Sequence, residues 1–386
     1  MKIIGYAIFV ISLLTLNLNT GYSSPLIMVG DYVNVLFDGS SALVWQSNIF
    51  YDDKEEENEL MLLIAPGFEA SIGSPSSRFE AIIRGNYEIQ RFEELFDLND
   101  EYVHVSAVGS YDGARLDLDA AYSFDEEQTT AGEQGTSGSQ FIEMDITRAH
   151  FMGAYILSPK FSLESGVRYD DREFKEFKDR LADVESFSIP VDVFYELTPK
   201  VDLSVGYEYT LEEVGRSSIE DFHRESNFVN IGARGNLFPK LDGFFKIGFR
   251  NVNPEGPQRE TDSSLGLDAD FTYLMTPKLK SKLHLHRRFE VGSEAQSVES
   301  TAAKLDMEYI ISGNYLANAY TDLVYNDFKD GNDGVDFIKR LGMRLSYLPN
   351  QYWRFSTGYA YVENDSNRLQ QGYKNHILDV SASLRY

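Results

Sequence analysis

The chain has 386 residues, with 35 Lys and Arg against 61 Asp and Glu, a formal net charge of −26. A chain this acidic is not built to hold nucleic acid or an anionic membrane surface by charge, so its carboxylates must face water, a cavity or cations. The absence of cysteine excludes disulfides, thiolate catalysis and Cys-ligated zinc, and beyond the N-terminus no apolar run is long enough for a helical membrane span.

The N-terminus reads as a secretory signal. Lys2 precedes an apolar stretch from Ile3 to Leu16, and Gly21 and Ser23 are small residues spaced for cleavage after Ser23. The stretch is too short to cross a bilayer. Residues 1–23 are therefore expected to be a signal peptide, 24–40 a periplasmic lead-in and 41–386 the folded body.

From residue 157 onward a turn motif recurs: Leu157-Ser158-Pro159-Lys160, Leu197-Thr198-Pro199-Lys200, Leu237-Phe238-Pro239-Lys240, Met275-Thr276-Pro277-Lys278 and Tyr347-Leu348-Pro349-Asn350. The prolines are 40, 40, 38 and 72 residues apart, the last interval being two steps of 36 with Ser312-Gly313-Asn314 at its midpoint. A period of about 38 is an architectural repeat that fits two long strands, one tight turn and one longer loop.

The segments between turns alternate. Val201, Leu203, Val205, Tyr207 and Tyr209 share one face against Asp202, Ser204, Gly206, Glu208 and Thr210. Marking every such run predicts strands at 41–51, 59–71, 76–90, 101–111, 114–124, 141–157, 161–171, 184–197, 201–212, 226–237, 241–251, 263–275, 279–290, 298–311, 315–326, 335–347, 352–363 and 374–386. That makes eighteen, with sixteen the alternative. Runs of 10 to 15 residues exceed the strands of soluble sheets and suit tilted strands crossing a bilayer. The fold expected is an all-β transmembrane antiparallel barrel, apolar outside and polar inside, with both termini periplasmic. Pro66 and Pro190 fall inside strands, where each removes a ladder bond unless it sits at a bulge.

With its Thr-Pro-Lys turns, the Gln46-Ser47-Asn48-Ile49-Phe50-Tyr51 segment and the aromatic-ended strand closing on Leu384-Arg385-Tyr386, the chain resembles the second of the families called putative beta-barrel porin, from Gram-negative envelopes. The resemblance covers about residues 30 to 386. It implies insertion by the barrel-assembly machinery through the last strand, and an association with exopolysaccharide or capsule export components.

The polar face carries the candidate lumen-lining residues Arg84, Arg148, Arg168, Arg234, Arg250, Lys282, His284, His286, Arg288, Arg344 and Arg354. Lipid exposure of an arginine at mid-depth would cost about 2–4 kcal/mol, so a wet lumen is the economical place for them. His284 and His286 alternate on one strand beside Lys282 and Arg288; they are a basic stripe, a metal pair or ordinary wall residues, and no third ligand is evident. Neither a Gly-x-Ser-x-Gly elbow nor His-Glu-x-x-His occurs, so no enzyme activity and no cofactor is expected. Acidic loops at 52–59, 125–127 and 327–336 face solvent. Through Ca²⁺, for which Asp330 and Asp333 are weak candidates, they also suit lipopolysaccharide phosphates. The expected function is passive passage of polar solutes or polymer export. The alternatives are a non-conducting barrel binding lipopolysaccharide or partners through its loops, a barrel-embedded hydrolase and a soluble β protein.

Overall fold

In the computed structural model the described residues are 26–386, without 31, 75, 135–139, 217–218, 256–260, 330–333 and 369–370. The signal segment, Asp330 and Asp333 lie outside them. The strands are β1 (Ile27–Val29), β2 (Val33–Gln46), β3 (Glu59–Ala65), β4 (Gly67–Ile72), β5 (Phe79–Phe92), β6 (Asp100–Asp112), β7 (Leu116–Thr130), β8 (Phe141–Ser158), β9 (Phe161–Phe174), β10 (Asp183–Thr198), β11 (Val201–Arg216), β12 (Ile219–Phe238), β13 (Leu241–Pro254), β14 (Asp262–Thr276), β15 (Leu279–Val291), β16 (Ser297–Ser312), β17 (Tyr315–Phe328), β18 (Gly334–Tyr347), β19 (Trp353–Ser366) and β20 (Tyr373–Arg385).

Neighbours in sequence pair antiparallel throughout, and β20 pairs with β2 from Asp38↔Arg385 to Gln46↔Ile377, so the sheet closes on itself. β3 and β4 are one barrel strand interrupted at Pro66, and β1 is a short flap on β2. The result is a closed barrel of eighteen strands. Closure leaves no unpaired edge, which is the condition for a sheet in lipid.

The turn motif has a local cause. Just before four of the turns the register slips by one residue, at Leu157, Leu197, Leu237 and Met275, and the same bulge recurs at Ile311. The hydroxyls of Ser158, Thr198 and Thr276 then accept the amide hydrogens of Lys160, Lys200 and Lys278 at 3.2–3.4 Å. Bulge and hydroxyl cap together reverse the chain within two residues.

The two prolines break the ladder as expected, and neither needs a bulge to do so. At Pro66 the register to β5 runs unchanged from Ile64↔Ile89 to Gly67↔Asn86, with the Tyr87 amide bonding the Pro66 carbonyl at 3.0 Å. At Pro190 the β9 ladder skips from Ser188↔Arg168 to Val191↔Ser165, and the Ser165 hydroxyl donates to the Pro190 carbonyl at 2.9 Å. Neither is a bulge; each is a one-bond gap whose carbonyl is still satisfied.

The N-terminal boundary also moves. The first barrel strand begins at Val33, inside the expected lead-in, and ends at Gln46 rather than residue 51. Asn48 is the reason. Its side chain donates to the Asp52 and Lys374 carbonyls at 2.7 and 3.0 Å and accepts the Asp52 amide at 3.0 Å, which folds residues 47–51 inward.

Val205, Val229, Ile231 and Phe249 are 57–64% exposed on the convex face. Aromatic rings bracket this apolar band. Phe161 and Tyr195, and Tyr315 and Tyr347, pair near the tight turns, and Tyr169, Phe187 and Tyr325 lie eight to ten residues further along the same strands. At about 3.4 Å per residue and a tilt near 45° that spacing is roughly 20–25 Å, the height of a lipid-facing band. Ile231→Arg, inside that band, should therefore cost about 2–4 kcal/mol, read as a lower denaturant midpoint for refolding into lipid vesicles. An unchanged midpoint would mean that this face does not meet lipid.

Candidate functional site: a braced lumen under a lid of loops

Ion pairs locate the concave face independently of exposure. Lys246 of β13 reaches Asp192 of β10 at 2.6 Å, and Arg234 of β12 reaches Glu164 of β9 at 2.7 Å, each across two intervening strands. Such chords exist only inside a curved wall. Small residues make room for them. A Cβ on Gly206 of β11 would stand 2.1 Å from Asp192 Oδ1, and one on Gly358 of β19 would stand 2.3 Å from Asp379 Oδ1, where Arg344 binds at 2.8 Å.

The cavity in this wall has a volume of about 470 Å³ and gathers Arg148, Arg168, Arg250, His284, His286 and Arg288 of the sequence-derived set. Most are held by carboxylates: Arg168 and Arg250 share Glu208 at 2.9 and 3.3 Å, Arg288 binds Glu290 at 3.0 Å, and Arg148 lies 3.6 Å from Asp170. The remaining candidates lie elsewhere on the wall. Arg234 also binds Asp202 at 3.1 Å, and Arg84 meets Glu69 at 2.8 Å, where Arg385 also binds. Arg344 lines a second cavity of about 130 Å³, Lys282 sits opposite Asp306, and Arg354 lies in the field of Asp38 and Glu308. The His284 and His286 rings are 5.5 Å apart, with Asp270 3.7 Å from the first and Glu290 3.9 Å from the second. Among the described residues no three His, Cys, Asp or Glu gather as metal ligands.

Sequence reasoning missed Lys246 and Arg172 as cavity residues, and Arg224 as the buried partner of Glu212. Lys246 was legible, since it alternates with Arg250 on one face of β13. The other two lie beyond the expected strand limits, because β9 runs on to Phe174 and β12 starts at Ile219.

Among the described residues, loops pack across the end of the barrel away from the tight turns. Ile49, Ala131, Leu181, Ala182 and Ala295, all in connections between strands, are buried. The segments 47–51, 131–134, 175–182 and 292–296 form a chain of contacts across the mouth. A Cβ on Gly132 would stand 2.3 Å from the Tyr51 carbonyl oxygen. Ser293 Oγ donates to the Gln134 carbonyl, and the Ala182 amide donates to the Ser293 carbonyl at 2.7 Å. Tyr51, Phe177 and Ala295 adopt left-handed φ of 54°, 54° and 66°, a costly conformation for residues with side chains. Tyr51 is fixed edge-on against Tyr373 at 5.0 Å.

Glu133 is the charged residue in the tip of this lid. Its Oε2 accepts from Thr129 Oγ1 at 3.3 Å, its amide donates to Thr130 Oγ1 at 3.1 Å, and Oε1 is buried without a hydrogen-bond partner. Around it stand Arg340 and Arg344 of β18, Tyr373 and Asp379 of β20, and Glu88 of β5. Burial pushes its carboxyl from an ordinary value of 4.5 up to about 7, against the opposing pull of Arg340. A docked loop that keeps a proton its free form would release is most stable below pH 4.5 and loses the advantage as pH rises from there to about 7, above which stability levels off. The loss is at most about 3 kcal/mol. Hydrogen exchange should therefore show amide protection at residues 131–134 falling as pH rises from about 4.5 to 7 and flat above it, after correction for intrinsic rates. In Glu133→Gln it should stay flat; parallel pH profiles for the two proteins would remove Glu133 as the cause.

No curated protein shows significant sequence similarity. Among solved structures, the outer membrane protein OpdK from Pseudomonas aeruginosa is 10% identical over 92% of this chain and 99% of its own, with a TM-score of 0.48. OccAB3 from Acinetobacter baumannii is 9% identical over 92% and 99% (TM-score 0.46), and the siderophore receptor PirA from P. aeruginosa 11% over 94% and 81% (TM-score 0.44). The profile of one sequence family matches residues 40–386, nearly the whole barrel, and the chain belongs to that family, described as Putative beta-barrel porin 2.

Proposed function

We propose that this protein is a non-catalytic outer-membrane channel through which small polar solutes diffuse, its tight turns and termini on the periplasmic side and its loop lid outside. The observation that carries the reading is the charged wall around a cavity of about 470 Å³, closed at one end by loops rather than by a separate domain. Barrels of sixteen or more strands have the girth for an aqueous path, and a wall of paired charges keeps that path wet without strong net selectivity. Polymer export, implied by the sequence resemblance, gains no support from the comparisons. A chain of sugars would also have to displace both the cross-lumen ion pairs and the lid.

The completeness of the lid favours one second reading, a non-conducting barrel that presents its acidic loops to lipopolysaccharide or a protein partner. Planar-bilayer recording separates the two. The refolded wild type should give small reproducible channels, and Gly132→Val, whose side chain collides with the Tyr51 carbonyl, should raise conductance several-fold by releasing the lid. No channels from either protein would leave the second reading in place. Channels of equal size in both would show that the lid is not the constriction.

A further inference from the structure

One guanidinium in the cavity stands apart from the braced set. Arg172 of β9 lies between Ile146 of β8 and Val184 of β10 and rests over the Phe174 ring at 5.2 Å. Its Nε and Nη2 are both buried without a hydrogen-bond partner. These two nitrogens form one side of the guanidinium fork, the side that meets both oxygens of a carboxylate at once.

The acids whose fields reach Arg172 are Glu290, Asp183 and Glu212, and each is held by another group, Glu290 through its Oε1. Glu212 binds Arg224 at 2.6 Å, Glu290 binds Arg288 at 3.0 Å, and Asp183 accepts the Phe174 amide at 2.7 Å with Lys178 3.6 Å away. On the lumen side, three guanidiniums thus share two carboxylates. Arg224 also spends Nη1 on the Glu290 carbonyl at 3.1 Å, which locks the braces and leaves Arg172 as the donor without a partner acid in contact. A buried charge in that position is costly unless something neutralises it.

The surroundings narrow the chemistry. Met144, Ile146, Phe289 and Val291 line the same cavity beside Arg172, and Gln134 of the lid reaches it from above. A fork for two oxygens set in an apolar wall suits an anionic head on an apolar body better than it suits a hydrated inorganic anion.

We propose that the cavity beneath the lid is a binding site for small organic monocarboxylates, with Arg172 gripping the carboxylate through Nε and Nη2 and the apolar wall holding the body. The proposal rests on the channel reading for its purpose, as the site would lie on the solute path, but not for its test.

The test is equilibrium binding of hexanoate to the refolded protein in nanodiscs, with empty nanodiscs subtracted. Wild type should bind hexanoate, and bind hexanamide and inorganic phosphate at least tenfold more weakly. Arg172→Gln should lose tenfold or more, and Arg172→Lys should recover little of it, since lysine keeps the charge and lacks the fork. Val291→Trp, which fills the apolar wall and leaves Arg172 in place, should weaken hexanoate and spare phosphate. Heat-modifiable gel mobility confirms that each variant is a folded barrel. Hexanamide binding as well as hexanoate, or Arg172→Gln binding unchanged, would overturn the site. Conductance without hexanoate binding would sink the site and leave the channel standing; binding without conductance would do the reverse.

Discussion

Everything in this molecule follows from one constraint: in lipid there is no water to satisfy a backbone amide, so a sheet must close. Closure here depends on the pairing of β2 with β20, extended by the Phe37 amide to the Tyr386 carbonyl at 2.6 Å and its reciprocal at 2.9 Å. Because the first strand closes the barrel, it cannot be a loose lead-in. It needs as many residues as the others, and Val33 to Ser40 join the ladder with Val33, Val35 and Phe37 on one face against Asn34, Asp38 and Ser40. The same constraint inverts the usual faces. Leucines and valines stand outside at high exposure, and the charges of an acidic chain are turned inward to meet their opposites.

That inversion decided what could be read from sequence. A period of two survives wherever one face meets lipid and the other does not, so strand number, antiparallel order and the polar-face arginines were all visible. The pattern faded where strands rise past the membrane. Arg172 and Arg224 sit in those extensions, where the inner face also carries buried apolar side chains such as Phe174 and Phe222, so alternation no longer separates the faces. The lid was invisible for another reason. Ile49, Phe50 and Tyr51 look like the end of a strand, and what turns them inward is the set of hydrogen bonds at Asn48, a tertiary arrangement with partners more than 300 residues away. No local pattern announces it. Pro66 and Pro190 mark the opposite case: both were flagged correctly as ladder breaks, but sequence could not say that carbonyl partners would let each break pass without a bulge.

The charge balance has a spatial logic. The excess acid is spent on the loop-end connections, such as residues 53–58, where solvent screens it. Inside, most of the arginines sit against carboxylates, commonly on other strands. A chord such as Lys246 to Asp192 links wall segments that the backbone ladder joins only through two intermediates. It stiffens the barrel in the direction that hydrogen bonds between neighbours leave soft. The desolvation cost of such pairs is moderated by the surrounding polar wall, so their role is better understood as shape-keeping than as net stability.

A wall held in shape by saturated pairs also gives meaning to whatever is left unsaturated. If every lumen charge were mobile and hydrated, one more arginine would be unremarkable. Here Glu208 is shared by two arginines, Glu212 is clamped by a buried one, and Glu290 is held by Arg288. Glu212 cannot swing to Arg172 without breaking its brace to Arg224. The lid adds a second restraint, since Gln134 and the Ser293 contact hold the cavity roof while left-handed residues at its corners make that roof costly to form. A cavity with fixed walls, a costly roof and one uncommitted cation differs physically from a wide aqueous pore. It can discriminate among solutes by what they bring to the unpaired group, which a fully open eighteen-stranded barrel has no means of doing.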